Sequence, residues 1–378
     1  MSLARREFVA GLSAAALAGA SSAARAAGEP SLAERARRKG LFYGCSVANQ
    51  LDRDPAYAAA VAREAGLLVA EFQNQWQYLG RKPDGATDFS AGEVVARFAA
   101  AHGQLLRGHA LIWFTRLGDP FKQAASRAEA ERALVAHVRE MCTHYAGRMQ
   151  SWDVVNEPLD PFDGGPDGLR ARGDALTEKL GPDYIDIAFH TAHEADPKAI
   201  LVLNEAGIEN DAERHERQRR NLIGLIDRLQ DRRVPVDAIG LQSHLRTGRQ
   251  SSSGAGYGAF VPAKFERFVS EITARGLRII VTELDVFDGG SPGDVAARDR
   301  EVAAMYADYL AIILKPKQTL GVVTWGLSDR YSWITGGTVD RFKRADNLPS
   351  RPLPLDADLR PTPSYAALAA AFDAAPSR

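Results

Sequence analysis

A closed (β/α)₈ barrel forming a single domain is predicted by three observations. Eight short β-branched runs alternate with eight longer amphipathic ones, the pattern of βα units around a parallel sheet. No linker or internal repeat divides the 378 residues, a length that α/β barrels commonly use in one domain. Two of the apolar runs end abruptly in a carboxylate, at Glu157 and Glu283. An unpaired buried carboxylate is costly, and the C-terminal tip of a barrel strand is where that cost is accepted for chemistry.

The elements follow in order. Residues 1–26 read as an export signal: Arg5-Arg6 is a twin-arginine pair, an Ala- and Gly-rich apolar run follows, and Ala24-Arg25-Ala26 has the A-x-A form of a cleavage site. The run is about a dozen residues, short of the roughly 20 that a membrane span needs. The mature domain is therefore expected over 27–378. A first strand over 41–47 leads to a helix over 55–65, where Asp54-Pro55 puts Pro in the first turn. The strand 67–72 is followed by a helix 91–102 with Ser90 as its expected cap. The remaining strands are expected over 105–113, 149–157, 200–205, 238–244, 278–285 and 320–326, and the helices over 127–146, 182–195, 211–232, 262–275, 295–314 and 363–372. The segment 349–363, rich in Pro and broken by Asp, reads as a surface connection.

An open doubly wound sheet is the rival architecture, but the turn after the first strand, Gly44-Cys45-Ser46-Val47-Ala48, has no phosphate-binding glycine pattern. The Ser- and Gly-rich stretch 251–258 opens no helix and reads as a flexible loop. Hydrophobic residues make up 45% and charged residues 25%, an ordinary globular balance. Net charge is -1; Arg5, Arg6 and Arg25 against Glu7 give residues 1–26 a charge of +2, so the remainder carries -3. That offers no basic footprint for nucleic acid. Cys45 and Cys142 are expected as buried free thiols, although export would permit a disulfide.

Polar residues gather where the expected strands end: His109 to Trp113 on the third, Asn156-Glu157 on the fourth, Asn204-Glu205 on the fifth, Gln242-Ser243-His244 on the sixth and Glu283-Leu284-Asp285 on the seventh. Beyond the eighth stand Trp325, Asp329, Tyr331 and Trp333. Two glutamates on separate strands are the minimum apparatus for hydrolysing a glycosidic bond. His109 and His244 fall at the same barrel end, whereas His102, His137, His144, His190, His193 and His215 lie on helical runs and are expected to be solvated. The chain has no H-E-x-x-H, C-x-x-C or G-x-S-x-G, so zinc, redox and serine-hydrolase readings are set aside and no metal or cofactor is expected.

The segments Arg107-Gly108-His109, Trp152-Asp153-Val154-Val155-Asn156-Glu157-Pro158, Gln242-Ser243-His244, Thr282-Glu283-Leu284-Asp285 and Thr324-Trp325-Gly326 with Tyr331-Ser332-Trp333 appear in an order that resembles glycoside hydrolase family 10, the (β/α)₈ endo-1,4-β-xylanases. The resemblance covers nearly the whole mature chain. It implies Glu157 as acid/base and Glu283 as nucleophile of a retaining double displacement, with His244 held between Glu283 and Asp285. It also implies that Asn156 and His109 bond hydroxyls of the cleaved sugar, that Gln242 supports Glu157, and that Trp113, Trp325 and Trp333 present sugar-facing surfaces. For Trp325 and Trp333, core packing is the alternative use.

The departures from the family cluster. Aligned on Asn74, the family's Glu-Asn-x-x-Lys becomes Gln73-Asn74-Gln75-Trp76-Gln77. After Trp113 the family usually has His and then Gln, where this chain has Phe114 and Arg116; after Asn204 an Asp-Tyr-Asn run is replaced by Glu205-Ala206-Gly207. All three fall on sugar contacts that the resemblance puts on the non-reducing side, so Gln73, Gln77 and Arg116 are expected as altered substrate-binding residues beside the matching Asn74. Arg116 suits an acidic sugar, or else pairs with Asp119 as an ordinary loop residue.

The resulting expectation is an exported enzyme, periplasmic or secreted, that cuts internal β-1,4 bonds of xylan or a related hemicellulose as a monomer, without nucleic-acid or membrane partners once the signal is removed. Hydrolysis of another β-glycan or a plant glycoside is the alternative. A catalytically dead carbohydrate-binding barrel is disfavoured by the presence of both glutamates, and a metal-dependent hydrolase by the lack of converging His and Asp ligands.

Overall fold

A computed structural model describes residues 28–162, 164–165, 167–171, 173–248, 260–291, 293–335 and 342–378. The expected export signal and the Ser- and Gly-rich loop 251–258 lie outside the described residues. Eight parallel strands close on themselves: β1 Phe42–Val47, β2 Leu67–Ala70, β3 Leu105–Gly108, β4 Met149–Asn156, β5 Ile200–Glu205, β6 Ala238–Leu241, β7 Arg278–Phe287 and β8 Thr319–Thr324. Each pairs with its neighbour in sequence, and β8 returns to β1 through the register Phe42↔Gly321 to Cys45↔Thr324. This is the single-domain (β/α)₈ barrel expected.

The principal helices, α1 Pro55–Glu64, α2 Ser90–Ala101, α3 Arg127–His144, α4 Asp183–Ala195, α5 Glu213–Asp231, α6 Pro262–Ala274, α7 Val295–Ile313 and α8 Pro363–Ala374, match the expected stretches to within two residues at most ends. Pro55 stands in the first turn of α1 as expected, and Asp54 caps the helix, its Oδ1 accepting from the backbone N–H groups of Ala56 and Tyr57 at 3.1 Å. Ser90 does not cap α2: Asp88 accepts from its N–H at 2.9 Å, so Ser90 is the first helical residue. The large core lies between strands and helices, while smaller clusters around Leu67, Val69, Val323 and Trp325, and around Val202, Ala238 and Ile280, fill the barrel itself. Cys45 and Cys142 are free and buried, and burial pushes both thiols far up.

Two expected strands are interrupted where function is expected. The third leaves the sheet at His109, where the peptide to Ala110 is cis, and pairs again only over Ile112–Trp113 against Val155 and Asn156. The sixth stops at Leu241 and resumes at His244–Arg246, aligned with Asp285 to Phe287 of β7; between them Ser243 takes φ 63°. The segment 349–363 is not the surface connection expected. Leu353 and Leu355 are buried, and Tyr306 donates to the Pro352 carbonyl at 2.8 Å, because its apolar residues close over α7.

Candidate active site

The strand breaks aim side chains into one cleft of about 910 Å³ at the C-terminal end of the barrel. Glu157 leaves β4 with φ 54°, a left-handed conformation uncommon for a side chain of this type and held here by its surroundings. Its backbone carbonyl accepts from Arg170 Nε at 2.8 Å. Its carboxylate accepts from Gln242 Nε2 at 2.9 Å on Oε1 and from the Trp113 indole at 3.2 Å on Oε2. Arg170 Nη2 stands 4.0 Å from Oε2, and its guanidinium lies 3.8 Å from the Phe114 ring centre.

Glu283, near the middle of β7, is buried. Asn204 Nδ2 donates to its Oε1 at 2.8 Å, and His244 Nε2 lies 3.2 Å from its Oε2. On the far side of the imidazole, Nδ1 is 2.9 Å from Asp285 Oδ1, and the Trp333 indole donates to Asp285 Oδ2 at 2.7 Å. Burial alone would raise the proton affinity of Glu283. The charge of His109, the hydrogen bond and charge of His244 and the Asn204 amide outweigh it, and the carboxyl is held below its ordinary range. The same contest, burial against Asp285 and Glu283, leaves His244 far above the usual imidazole value.

The two glutamates are linked through amides. Asn156 Oδ1 accepts from Gln242 Nε2 at 3.2 Å and from Asn204 Nδ2 at 2.8 Å, so the connection runs Glu157–Gln242–Asn156–Asn204–Glu283. Gly240 makes room for it: a Cβ there would come within 2.2 Å of Asn204 Oδ1. The buried Nδ2 of Asn156 has no partner among the described residues, which leaves a donor in the cleft wall. Below this layer Arg107 pairs with Asp153, and Asp153 Oδ2 holds His109 Nδ1 at 2.9 Å. Burial, which opposes charging, is outweighed for His109 by Glu283 and Asp153, and its proton affinity is raised.

Of the residues expected at the site, Glu157, Glu283, His244, Asn156, Gln242, His109, Trp113, Arg116, Trp325 and Trp333 line this cleft. Asp285 sits buried behind His244. Trp325 packs in the barrel cluster, meets His109 edge-on at 5.1 Å and reaches the cleft wall. Gln73, Asn74 and Gln77 do not line the cleft. Asn74 faces α3 instead, where Tyr145 donates to its Oδ1 at 3.2 Å; Gln73 turns back on the Phe72 N–H; and Gln77 is exposed beside a separate groove.

The reason is register. Strand β2 ends at Ala70, so the first residue past it is Glu71, and the pattern begins two residues earlier, as Glu71-Phe72-Gln73-Asn74-Gln75. Glu71, Phe72 and Gln75 are the ones in the cleft. The acidic member is therefore retained, and burial, partly countered by His109 and reinforced by Glu283, pushes it up to about 7.

Several further cleft residues carried no sequence assignment, Tyr78, Phe162 and Arg170 among them; Glu205, noted at the end of the fifth strand, lines the cleft as well, as does His215. His137 and His215, expected to be solvated, are buried. His137 stacks on Trp76 at 4.1 Å and donates to the Leu111 carbonyl, while His215 meets the Gly207 carbonyl; burial pushes them down to about 3 and about 4. No cluster suited to a metal ion occurs among the described residues.

Comparison with known proteins agrees with this geometry. The chain matches the family model described as glycosyl hydrolase family 10 over residues 31–371. It is 29% identical to an endo-1,4-beta-xylanase of Agaricus bisporus over 310 residues, 81% of this chain and 85% of the relative. Its structure superposes on xylanase 10B from Thermotoga petrophila in complex with xylobiose with a TM-score of 0.78, at 25% identity over 91% of this chain and 98% of the other. For native xylanase 10B from Thermotoga maritima the TM-score is 0.77 at 26% identity, with the same shares covered. The match spans the barrel and every strand that feeds the cleft, and the chain belongs to glycoside hydrolase family 10.

Proposed function

We propose that this enzyme hydrolyses internal β-1,4 bonds of xylan or a closely related hemicellulose with retention of configuration, after export directed by residues 1–26. The observation that carries the mechanism is the linked pair of carboxylates in unlike settings. Glu283 is held ionised by His244 and Asn204. Glu157 sits at the mouth of the same cleft under the amide of Gln242 and the indole of Trp113.

In the first step a Glu283 oxygen attacks the anomeric carbon, the bond to the leaving oxygen breaks, and Glu157 gives that oxygen its proton. In the second, Glu157 takes a proton from water, the resulting hydroxide adds to the anomeric carbon, and Glu283 leaves. Asn156 Nδ2 and His109 bond the hydroxyls of the sugar being cleaved, and Trp325 with Trp333 offer it apolar faces. Xylan as substrate is supported by the relatives, which are named xylanases. Phe72, Gln75, Phe114, Arg116 and Ala206, all cleft residues that depart from the family pattern, favour a second reading in which the preferred polymer is another β-glycan or a plant glycoside.

The test separates the two glutamates. Glu283→Ala abolishes turnover of every glycoside, because no glycosyl-enzyme forms. Glu157→Ala still glycosylates from an aryl β-xyloside whose leaving group needs no proton, then stalls until azide is added. Proton NMR of the first product of the native enzyme shows the β anomer. Equal losses in both variants on activated and natural substrates, or an α anomer first, would overturn the mechanism.

A further inference from the structure

We propose that Tyr78, Arg116 and Trp113 form a receptor for the carboxylate of an acidic sugar carried on the glycan substrate; the assignment rests on the hydrolase function proposed above. The guanidinium carbon of Arg116 lies 5.0 Å from the Trp113 ring centre and 5.9 Å from that of Tyr78. All three residues line the cleft. Stacking on aromatic faces holds a guanidinium in place while leaving its edge, where the N–H groups fork, open to a partner.

That edge is little used by the protein. Arg116 Nη1 donates to the Thr115 carbonyl at 3.1 Å, and no carboxylate lies within ion-pair reach of it among the described residues. The expected partner, Asp119, is instead 3.8 Å from Lys122 in the turn that follows. Asp119 also opens the short helix Asp119–Lys122, which keeps it beyond Arg116.

Position relative to the cut is set by a shared residue. Trp113 carries Arg116 on its ring and donates its N–H to Glu157 Oε2, so the receptor stands one side chain from the proposed acid/base. Tyr78 is half exposed at the rim, which allows the approach of a side branch rather than only the backbone sugar. A neutral sugar hydroxyl needs no cation; a carboxylate matches the planar fork with two parallel hydrogen bonds. The family pattern usually puts a glutamine here, which could hold a hydroxyl but not offset a charge.

The experiment compares kcat/KM of the full chain on two substrates that differ by one charge. One is a xylo-oligosaccharide bearing a glucuronic acid branch, and the other is the same glycan with that carboxyl reduced to a primary alcohol. The native enzyme prefers the acid by about tenfold to a hundredfold, the usual worth of a charge-assisted hydrogen bond. Arg116→Met, which keeps the apolar stem, brings the ratio close to one, and Arg116→Lys keeps part of it because the charge stays while the fork is lost. Added salt narrows the native preference. Equal loss on both glycans in Arg116→Met, or no preference in the native enzyme, would overturn the receptor alone. No turnover of either glycan would overturn the proposed function and the receptor with it.

Discussion

Asn204 Nδ2 lies 2.8 Å from Glu283 Oε1 and, through its second hydrogen, 2.8 Å from Asn156 Oδ1. Its orientation follows from the hydroxyl of Thr282, which donates to Asn204 Oδ1 at 2.8 Å and so commits the nitrogen to the two acceptors. Asn204 thus holds the proposed nucleophile and, by occupying the Asn156 oxygen, turns the Asn156 nitrogen toward substrate. Asn204→Ala removes both effects. The loss of a hydrogen bond to a charged group, roughly 1.5–3 kcal/mol, predicts a fall in kcat/KM of about tenfold to a hundredfold. Because the residues act together, the double variant with Asn156→Ala loses less than the product of the two single losses. Strict multiplicativity in steady-state kinetics would show that the contacts are independent.

His244 supplies the second hold on Glu283, and its effect is legible in pH. Glu283 sits below its ordinary value of 4.5 because His109, His244 and the Asn204 amide together outweigh burial. His244→Ala leaves the carboxyl buried with less to offset it, so the acidic limb of the kcat/KM profile moves to higher pH. Stability follows by linkage. The raised affinity of His244 contributes fully below pH 6.5 and is lost as pH rises through its folded value. The lowered affinity of Glu283 contributes above 4.5 and is lost as pH falls through its folded value. Both are present between those limits, and there the drop in Tm of His244→Ala relative to the native chain is largest. A Tm difference that does not vary with pH would refute the pairing.

The barrel was legible because a strand buried on both faces has to be apolar along its length, and because helix starts such as Asp54-Pro55 carry local signals. The proposed catalytic layer was legible for a related reason: Glu157 and His244 are polar residues beside the ends of apolar runs, and Glu283 is a carboxylate interrupting one near the middle of β7. What failed was register at the ends of strands. Asn74 attracted the alignment after β2, yet only the closing of the barrel decides that Glu71 is the first residue past the strand and that Asn74 turns outward to Tyr145. His137 and His215 were assigned to solvent from their helical positions, and tertiary packing against Trp76 and Gly207 overrode that. Phe162 lies in a loop and Tyr78 at the end of the single 3₁₀ turn Trp76–Tyr78, where neither periodicity nor spacing marks a residue as part of a cleft.

Glu205, the last residue of β5, predicts a second dependence on pH. It is fully buried beside Glu157, and burial with that neighbouring charge pushes it up to about 8, even though it accepts from the N–H groups of Ala206 at 3.0 Å and Leu159 at 3.2 Å. Between pH 4.5 and about 8 the folded state therefore holds a proton that the unfolded state has released, so stability falls as pH rises across that window. Glu205→Gln removes the titration and flattens the slope of Tm against pH. Its absolute Tm is lower at acidic pH, because an amide N–H then opposes the Leu159 N–H. An unchanged slope in Glu205→Gln, measured by calorimetry, would show that Glu205 is ionised in the fold.

Phe162 stands 71% exposed at the cleft mouth, on the loop after β4, with the Arg214 guanidinium 5.6 Å from its ring centre. Arg217 Nη2 donates to the carbonyls of Pro161 and Phe162 at 3.0 and 3.2 Å, which ties this stretch of loop to α5. An exposed aromatic ring fixed at the end of a sugar cleft is a surface on which a pyranose can stack, and half-burying such a ring is worth about 1 kcal/mol. Lying beyond the reacting sugar, it adds to the binding of long chains in the ground and transition states alike. Phe162→Ala should raise KM about fivefold on hexa- and longer oligosaccharides with kcat unchanged, and leave the kinetics of an aryl xyloside as they were. The same rise in KM on short and long substrates would mean that Phe162 shapes the loop around Glu157 and does not touch the glycan.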